Sequence, residues 1–425
     1  MPRSYSCAKV YAISDRMKND RLFGGILLIA GTTIGAGMLA LPLSTGIAGF
    51  FPALLIFSAC FLLMYWSGCL FLEMTLSFEK EVNLITMAKE TLGKPGEALA
   101  WAGFLLLLYT LLSAYLAGSG PYFSELWEDI FNAPLPAFAM PFPLVLVFGP
   151  FLYFGLHYVD VMNRYLMMML VASFALMVTL LAPEVQIARL AHVDMSFALI
   201  SFAVVVTSFG YHIIIPSLTT YLRRDVKAVK RCIFWGSSIP LGIYILWEVL
   251  ILGNIPVHGA SSLAALIHPD GPQLSGVLES SLQSSWIARG MRAFALFAII
   301  TSFLGVAQSL FDFLRDGVKA PNSHRGRALV WLLTFVPPLV FVLASQQGFV
   351  AVIEYAGVFI AILVGLVPIM MTWSGRYIKK LPSPYRAVGG KPALIAGFVV
   401  YVAVVVLSMA KNLGVMNLDL TPYMG

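Results

Sequence analysis

Apolar residues run in long blocks along this chain, and polar residues gather in the short stretches between them. A helix needs about 20 residues to cross a hydrocarbon core of ~30 Å. Eleven blocks meet or approach that length: Leu22–Thr45, Phe50–Leu72, Ala98–Gly118, Pro141–His157, Leu166–Ala182, Phe197–Leu218, Cys232–Asn254, Met291–Leu314, Leu329–Ser345, Phe349–Trp373 and Pro392–Met409. The pattern predicts an all-α polytopic membrane protein with about 11 transmembrane helices. Between them, Ser77–Glu97 is expected to form a short cytoplasmic helix, while Ser124–Asn132 and Ser261–Ser285 are expected to be ordered external loops. Trp127 and Trp286 suit the membrane interface.

Composition agrees with a lipid environment. Hydrophobic residues make up 59% of the chain and charged residues 11%, against about 25% charged in soluble domains. The net charge of +6 does not point to nucleic acid, because Lys and Arg sit in the connections rather than along one basic face. Their distribution instead sets topology. With the N-terminus in the cytoplasm, only Arg189, Arg289, Arg292 and Lys411 of the 27 basic residues fall outside, as the positive-inside rule requires. The short tail after Lys411 is then external. Met1–Asp20 is too polar for a signal peptide, so the first span is expected to be retained. Cys7, Cys60, Cys69 and Cys232 match no metal or disulfide pattern, since Cys60 and Cys69 fall on opposite faces of one helix.

The first span is the least regular: Ile29-Ala-Gly-Thr-Thr-Ile-Gly-Ala-Gly-Met-Leu-Ala-Leu-Pro42. Gly35-Ala-Gly37-Met-Leu-Ala40 matches a dinucleotide fingerprint only formally, because no strand precedes it. Gly31 and Gly35 also make a GxxxG packing face. The alternative is a discontinuous helix whose unwound centre exposes backbone groups. The sixth span favours the alternative: in Thr207-Ser-Phe-Gly-Tyr-His-Ile-Ile-Ile-Pro216 a polar, glycine-containing stretch again precedes a proline. Interruptions five helices apart lie in oppositely oriented spans, as in an inverted repeat with broken helices 1 and 6. Such breaks present free amides to a carboxylate and free carbonyls to an ammonium, which suits a zwitterion.

Thr207-Ser-Phe-Gly-Tyr-His212, Ile215-Pro-Ser-Leu218, Ile239-Pro-Leu-Gly-Ile-Tyr244, Leu246-Trp-Glu248, Gly31-Thr-Thr-Ile-Gly-Ala-Gly-Met38 and Thr301-Ser-Phe-Leu-Gly305 resemble the hydroxy and aromatic amino acid permease family along nearly the whole chain. The resemblance implies the five-plus-five inverted-repeat fold of the amino acid–polyamine–organocation superfamily, in a bacterial cytoplasmic membrane. Residues 1–21 would be a cytoplasmic tail, 22–182 and 183–373 the two repeats, and 374–425 a cytoplasmic loop, an eleventh helix and an external tail. It implies secondary transport of an amino acid, tyrosine ahead of tryptophan and phenylalanine, with serine or threonine open through the wider family. The substrate backbone would meet Thr32, Thr33, Gly35, Ala36 and Gly37 with Ser208, Phe209 and Gly210. Tyr109, Tyr115, Tyr211 and Phe303 are candidates for the aromatic wall.

Two coupling ions remain open. Sodium-coupled relatives of the fold use oxygens that here correspond to the Gly31, Ile34 and Ala298 carbonyls with the Thr301 and Ser302 hydroxyls. Aromatic permeases of the family are instead implied to be proton-coupled, and His212, Glu248 and Glu354 are ionisable residues within predicted spans. Proton symport is the favoured expectation. No cofactor is expected, and the six histidines form no metal-ligand motif. A channel lacks a visible filter or charged ring, and an enzyme lacks a catalytic constellation.

Overall fold

The computed structural model describes residues 20–79, 82–259, 261–267, 273–321, 323–345 and 348–412. Among these it is helical with no strand, and its helices supply 10 membrane-length spans, or 11 when one bent pair counts as a span. That pair is α1 (Asp20–Thr33) and α2 (Gly37–Thr45), which meet at 56°. There follow α3 (Phe50–Leu76), α4 (Leu84–Leu92), α5 (Lys94–Phe131), α6 (Phe142–Phe154), α7 (Leu156–Leu181), α8 (Phe202–Ser208), α9 (Ile215–Tyr221) and α10 (Val226–Asn254). Then come the short α11 (Leu263–Ile267) and α12 (Leu274–Leu282), followed by α13 (Ser285–Gly317), α14 (His324–Ser345), α15 (Phe349–Ile360), α16 (Val367–Trp373) and α17 (Gly390–Asn412).

The eleven expected spans are present, with shifted ends. The fifth begins at Leu156 rather than Leu166, because only Gly155, at φ +121°, separates it from α6. The expected loop Ser124–Asn132 is mostly helix, since α5 continues to Phe131 before Asn132 ends it in the left-handed region. The continuation is held from outside the helix: Glu125 pairs with Arg292 of α13 at 2.9 Å, and Asp129, one turn on, lies 3.6 Å from the same guanidinium. The Ser77–Glu97 connection does form a helix, α4, whose first turn is capped by Asn83 accepting from Thr86 N–H. The tail after Asn412 and the segment 1–19 lie outside the described residues.

Burial separates a centre from a periphery. The apolar windows of the α8–α9 span and of Phe349–Ile378 are each 67% buried, whereas that of α14 is 22% buried and that of α17 28%. The inner helices are therefore covered by protein, and the outer ones turn Leu, Val and Phe side chains outward, as lipid requires. Centrally, α2 packs on α8, α10 and α15, while α5, α7 and α13 pack together beside them. The two broken spans thus meet at the middle of the bundle.

Candidate functional site

In the first span the helix persists through Thr33 and opens only at Ile34–Ala36. Gly31 therefore lies within helix, on an exposed face where an added Cβ would meet nothing within 4 Å, so it forms no packing contact of the GxxxG kind. Thr32 and Thr33 donate back to the Leu28 and Ile29 carbonyls, each at 2.7 Å. Gly35 is where packing excludes a side chain: a Cβ there would sit 2.6 Å from Ser302 Oγ of α13. This close approach lets Ala36 N–H donate to Ser302 Oγ at 2.8 Å, satisfying an amide the break has freed. The sixth span opens after Ser208, passes through Phe209–Tyr211 and a 3-10 turn at His212–Ile214, and resumes at Ile215 with Pro216 in its first turn. Gly37 and Ser208 bring the breaks together, a Cβ on Gly37 lying 3.1 Å from Ser208 Oγ.

Both breaks border one cavity of about 570 Å³, a size usual for small-molecule pockets. Gly31, Thr32, Thr33, Ile34, Gly35, Ala36 and Gly37 line it from α1 and its break, and Ser208, Gly210 and His212 from the other break. Tyr115, Thr301 and Ser302 complete the set of candidates that the fold gathers there. Residues with no earlier claim join them: Phe104, Leu107, Leu108 and Leu111 of α5, Asn163 of α7, Ser309 of α13 and Val364 beside α16.

Other candidates lie elsewhere. Tyr109 turns to α14, where its hydroxyl donates to Leu333 carbonyl at 2.8 Å. Helical phase is the reason: at about 100° per residue, Tyr109 stands some 120° from Tyr115, whereas Phe104, Leu108 and Leu111 share the face of Tyr115. Phe303, one residue from the cavity-lining Ser302, stacks on Phe335 at 5.7 Å. Phe209 packs edge-on to Tyr244 at 5.4 Å, and Tyr211 reaches away to donate to Met64 carbonyl at 3.0 Å. The aromatic lining is thus Phe104 and Tyr115, not the set the sequence suggested.

The coupling candidates also separate. Thr301 donates to the Phe297 carbonyl at 2.9 Å and lies 3.1 Å from that of Ala298, itself fully buried off the cavity. With Ser302 accepting from Ala36, both hydroxyls of this oxygen set have protein partners. Glu248 is buried beside α2, bonded to Thr45, and its Oε2 has no partner among the described residues. Glu354 pairs with Lys411 of α17, away from the cavity. Of these three ionisable candidates, His212 is the one that borders the cavity, with its ring fully buried. Its Nε2 is 2.8 Å from Ser67 Oγ, which Tyr401 also approaches at 3.2 Å, while Nδ1 has no partner among the described residues. Sequence position singled out His212, but nothing in Ser67 or Tyr401 signalled that they would stand behind it.

Eleven helical spans among the described residues, two of them broken around a largely apolar cavity at the centre of the bundle, are the architecture of a membrane transporter. The same fold is found in a solved nucleobase-cation-symport-1 family transporter crystallised with bromovinylhydantoin, at a TM-score of 0.60, 10% identity, and 93% and 90% coverage of this chain and that one. The sequence profile of the tryptophan/tyrosine permease family matches residues 18–409, and the chain belongs to that family. It is 34% identical to the tyrosine-specific transport system 1 of Haemophilus influenzae, over 93% of this chain and 98% of that protein. It is 31% identical to the tryptophan-specific transport protein of the same organism, over 94% and 98% respectively.

Proposed function

We propose that this permease is a proton-coupled symporter that imports an aromatic amino acid, with tyrosine its first substrate. One observation carries the reading: both helix breaks border a single cavity whose α5 wall bears Phe104 and Tyr115. The amino end of α2 suits the substrate carboxylate, the carboxyl ends of α1 and α8 its ammonium, and the α5 wall its ring. The tyrosine-specific relative supports tyrosine, and the tryptophan-specific relative makes a larger ring the second choice.

Proton coupling is supported by His212, an ionisable residue bordering the cavity whose buried Nδ1 has no partner among the described residues. The sodium alternative, through Gly31, Ile34, Ala298, Thr301 and Ser302, is less favoured because Ala298 is fully buried and does not line the cavity. The cavity lining continues from the breaks through Leu27, Asn163 and Ser309 toward the end of the bundle that carries Lys94 and Arg315. With that basic end in the cytoplasm of a bacterium and the permease in its inner membrane, this is an inward-facing arrangement. Residues 22–182 and 183–373 are the two repeats that rearrange around it.

The test is uptake by the purified chain in sodium-free proteoliposomes. An inside-alkaline pH gradient should drive accumulation of labelled tyrosine, and excess tryptophan or phenylalanine should compete. Uptake that requires sodium and ignores pH would refute proton coupling. Competition by serine but not tryptophan would refute the aromatic substrate.

A further inference from the structure

The motif Ile239-Pro-Leu-Gly-Ile-Tyr244 lies on α10, and Tyr244 is fully buried against both breaks. Its hydroxyl is 2.7 Å from the carbonyl oxygen of Thr33, the last residue of α1, and 2.7 Å from that of Ser208, the last residue of α8. Both residues also line the cavity. Helix ends leave carbonyls without the amide four residues on, and the amides beyond the first break turn elsewhere: Met38 N–H donates to Gly35 and Leu39 N–H to Ala36. A phenol has one proton, so Tyr244 can donate to only one of these carbonyls at a time. The second oxygen is held against the hydroxyl without a hydrogen between them, which is costly in a buried site.

We propose that Tyr244 is a positioning residue for substrate binding: it ties the carboxyl ends of both broken helices to α10 and leaves one donor missing, which the ammonium of the substrate supplies. This rests on the amino-acid reading above and adds the device that holds the two carbonyls at the span of a single ammonium. The two carbonyls share a single donor, and an amine-bearing substrate supplies the second. A molecule of the same shape without the amine does not.

The experiment compares binding of L-tyrosine and of 3-(4-hydroxyphenyl)propionate, its deaminated analogue, to the full-length purified chain. In Tyr244→Phe, tyrosine affinity should fall at least about 10-fold while that of the analogue changes by less than about 3-fold, because only the amine loses aligned acceptors. Replacement of Tyr244 by 4-aminophenylalanine keeps the ring and offers two N–H donors. It should satisfy both carbonyls, preserve thermal stability and still weaken tyrosine binding. Wild-type tyrosine affinity in either variant, or an equal loss for tyrosine and its analogue, would overturn the proposal. If the wild-type chain binds L-tryptophan and not L-tyrosine, the tyrosine reading fails separately. The same comparison then runs with L-tryptophan and indole-3-propionate.

Discussion

A single Cβ separates the two interrupting glycines of the first span. At Gly35 it would meet Ser302 Oγ at 2.6 Å, and at Gly31 nothing within 4 Å. Gly35→Ala should therefore displace Ser302 and strand the Ala36 amide, a loss of about 1–3 kcal/mol that lowers substrate affinity roughly 5- to 150-fold. Gly31→Ala should leave affinity within about 3-fold of wild type. Uptake kinetics normalised to the amount of inserted protein distinguish the two, and equal effects would contradict the geometry. The sequence marked both glycines alike, because composition records that a side chain is absent and not what occupies its place. The aromatics carry the same lesson: Tyr109 and Tyr115 share a helix, yet the direction of the cavity, set by α13 and the two breaks, selects only Tyr115.

Among the elements, the connection after α16 is tied back to α3 by a buried ion pair. Arg376 donates to Glu73 from Nε at 2.7 Å and from its terminal nitrogen, and Ala387 N–H adds a further bond to the same carboxylate at 2.7 Å. Side chains 6% and 1% exposed leave little water to replace either partner. Arg376→Met alone should destabilise the fold by about 3–5 kcal/mol by stranding a buried carboxylate, and Glu73→Leu combined with Arg376→Met should recover much of it. Thermal unfolding in detergent reads both, and a double variant no more stable than the single would contradict the argument. Hydropathy placed α3 and α16, but the expected span Phe50–Leu72 stopped just short of Glu73, which lies within α3. Its partner lies 303 residues away, and a single sequence contains no trace of that distance. The extension of α5 was missed for the same reason, because Arg292 belongs to another span.

On the scale of the whole molecule, the proposed inward-facing arrangement predicts accessibility from one side only. In a background with all native cysteines replaced by serine, Ser309→Cys should react with a membrane-impermeant thiol reagent applied to the basic face, and excess tyrosine should alter its rate. Equal labelling from the opposite face would contradict that direction. If His212 carries the coupled proton, His212→Gln should still exchange tyrosine across the membrane at equal concentrations but lose accumulation driven by a pH gradient. Accumulation that persists would move the proton elsewhere, Glu248 first, since it too is buried with an oxygen that has no partner among the described residues.

The sequence by itself determined that the chain lives in lipid, how many times it crosses, and where two of its helices break. These follow from block hydropathy and from glycines before prolines, local properties that one chain records directly. Tertiary structure decided which residues line the cavity, that Ser302 closes on the first break, and that Tyr244 gathers carbonyls from both. Such pairings depend on the rotation of each helix about its own axis. That rotation is fixed only when helices far apart in the chain pack together.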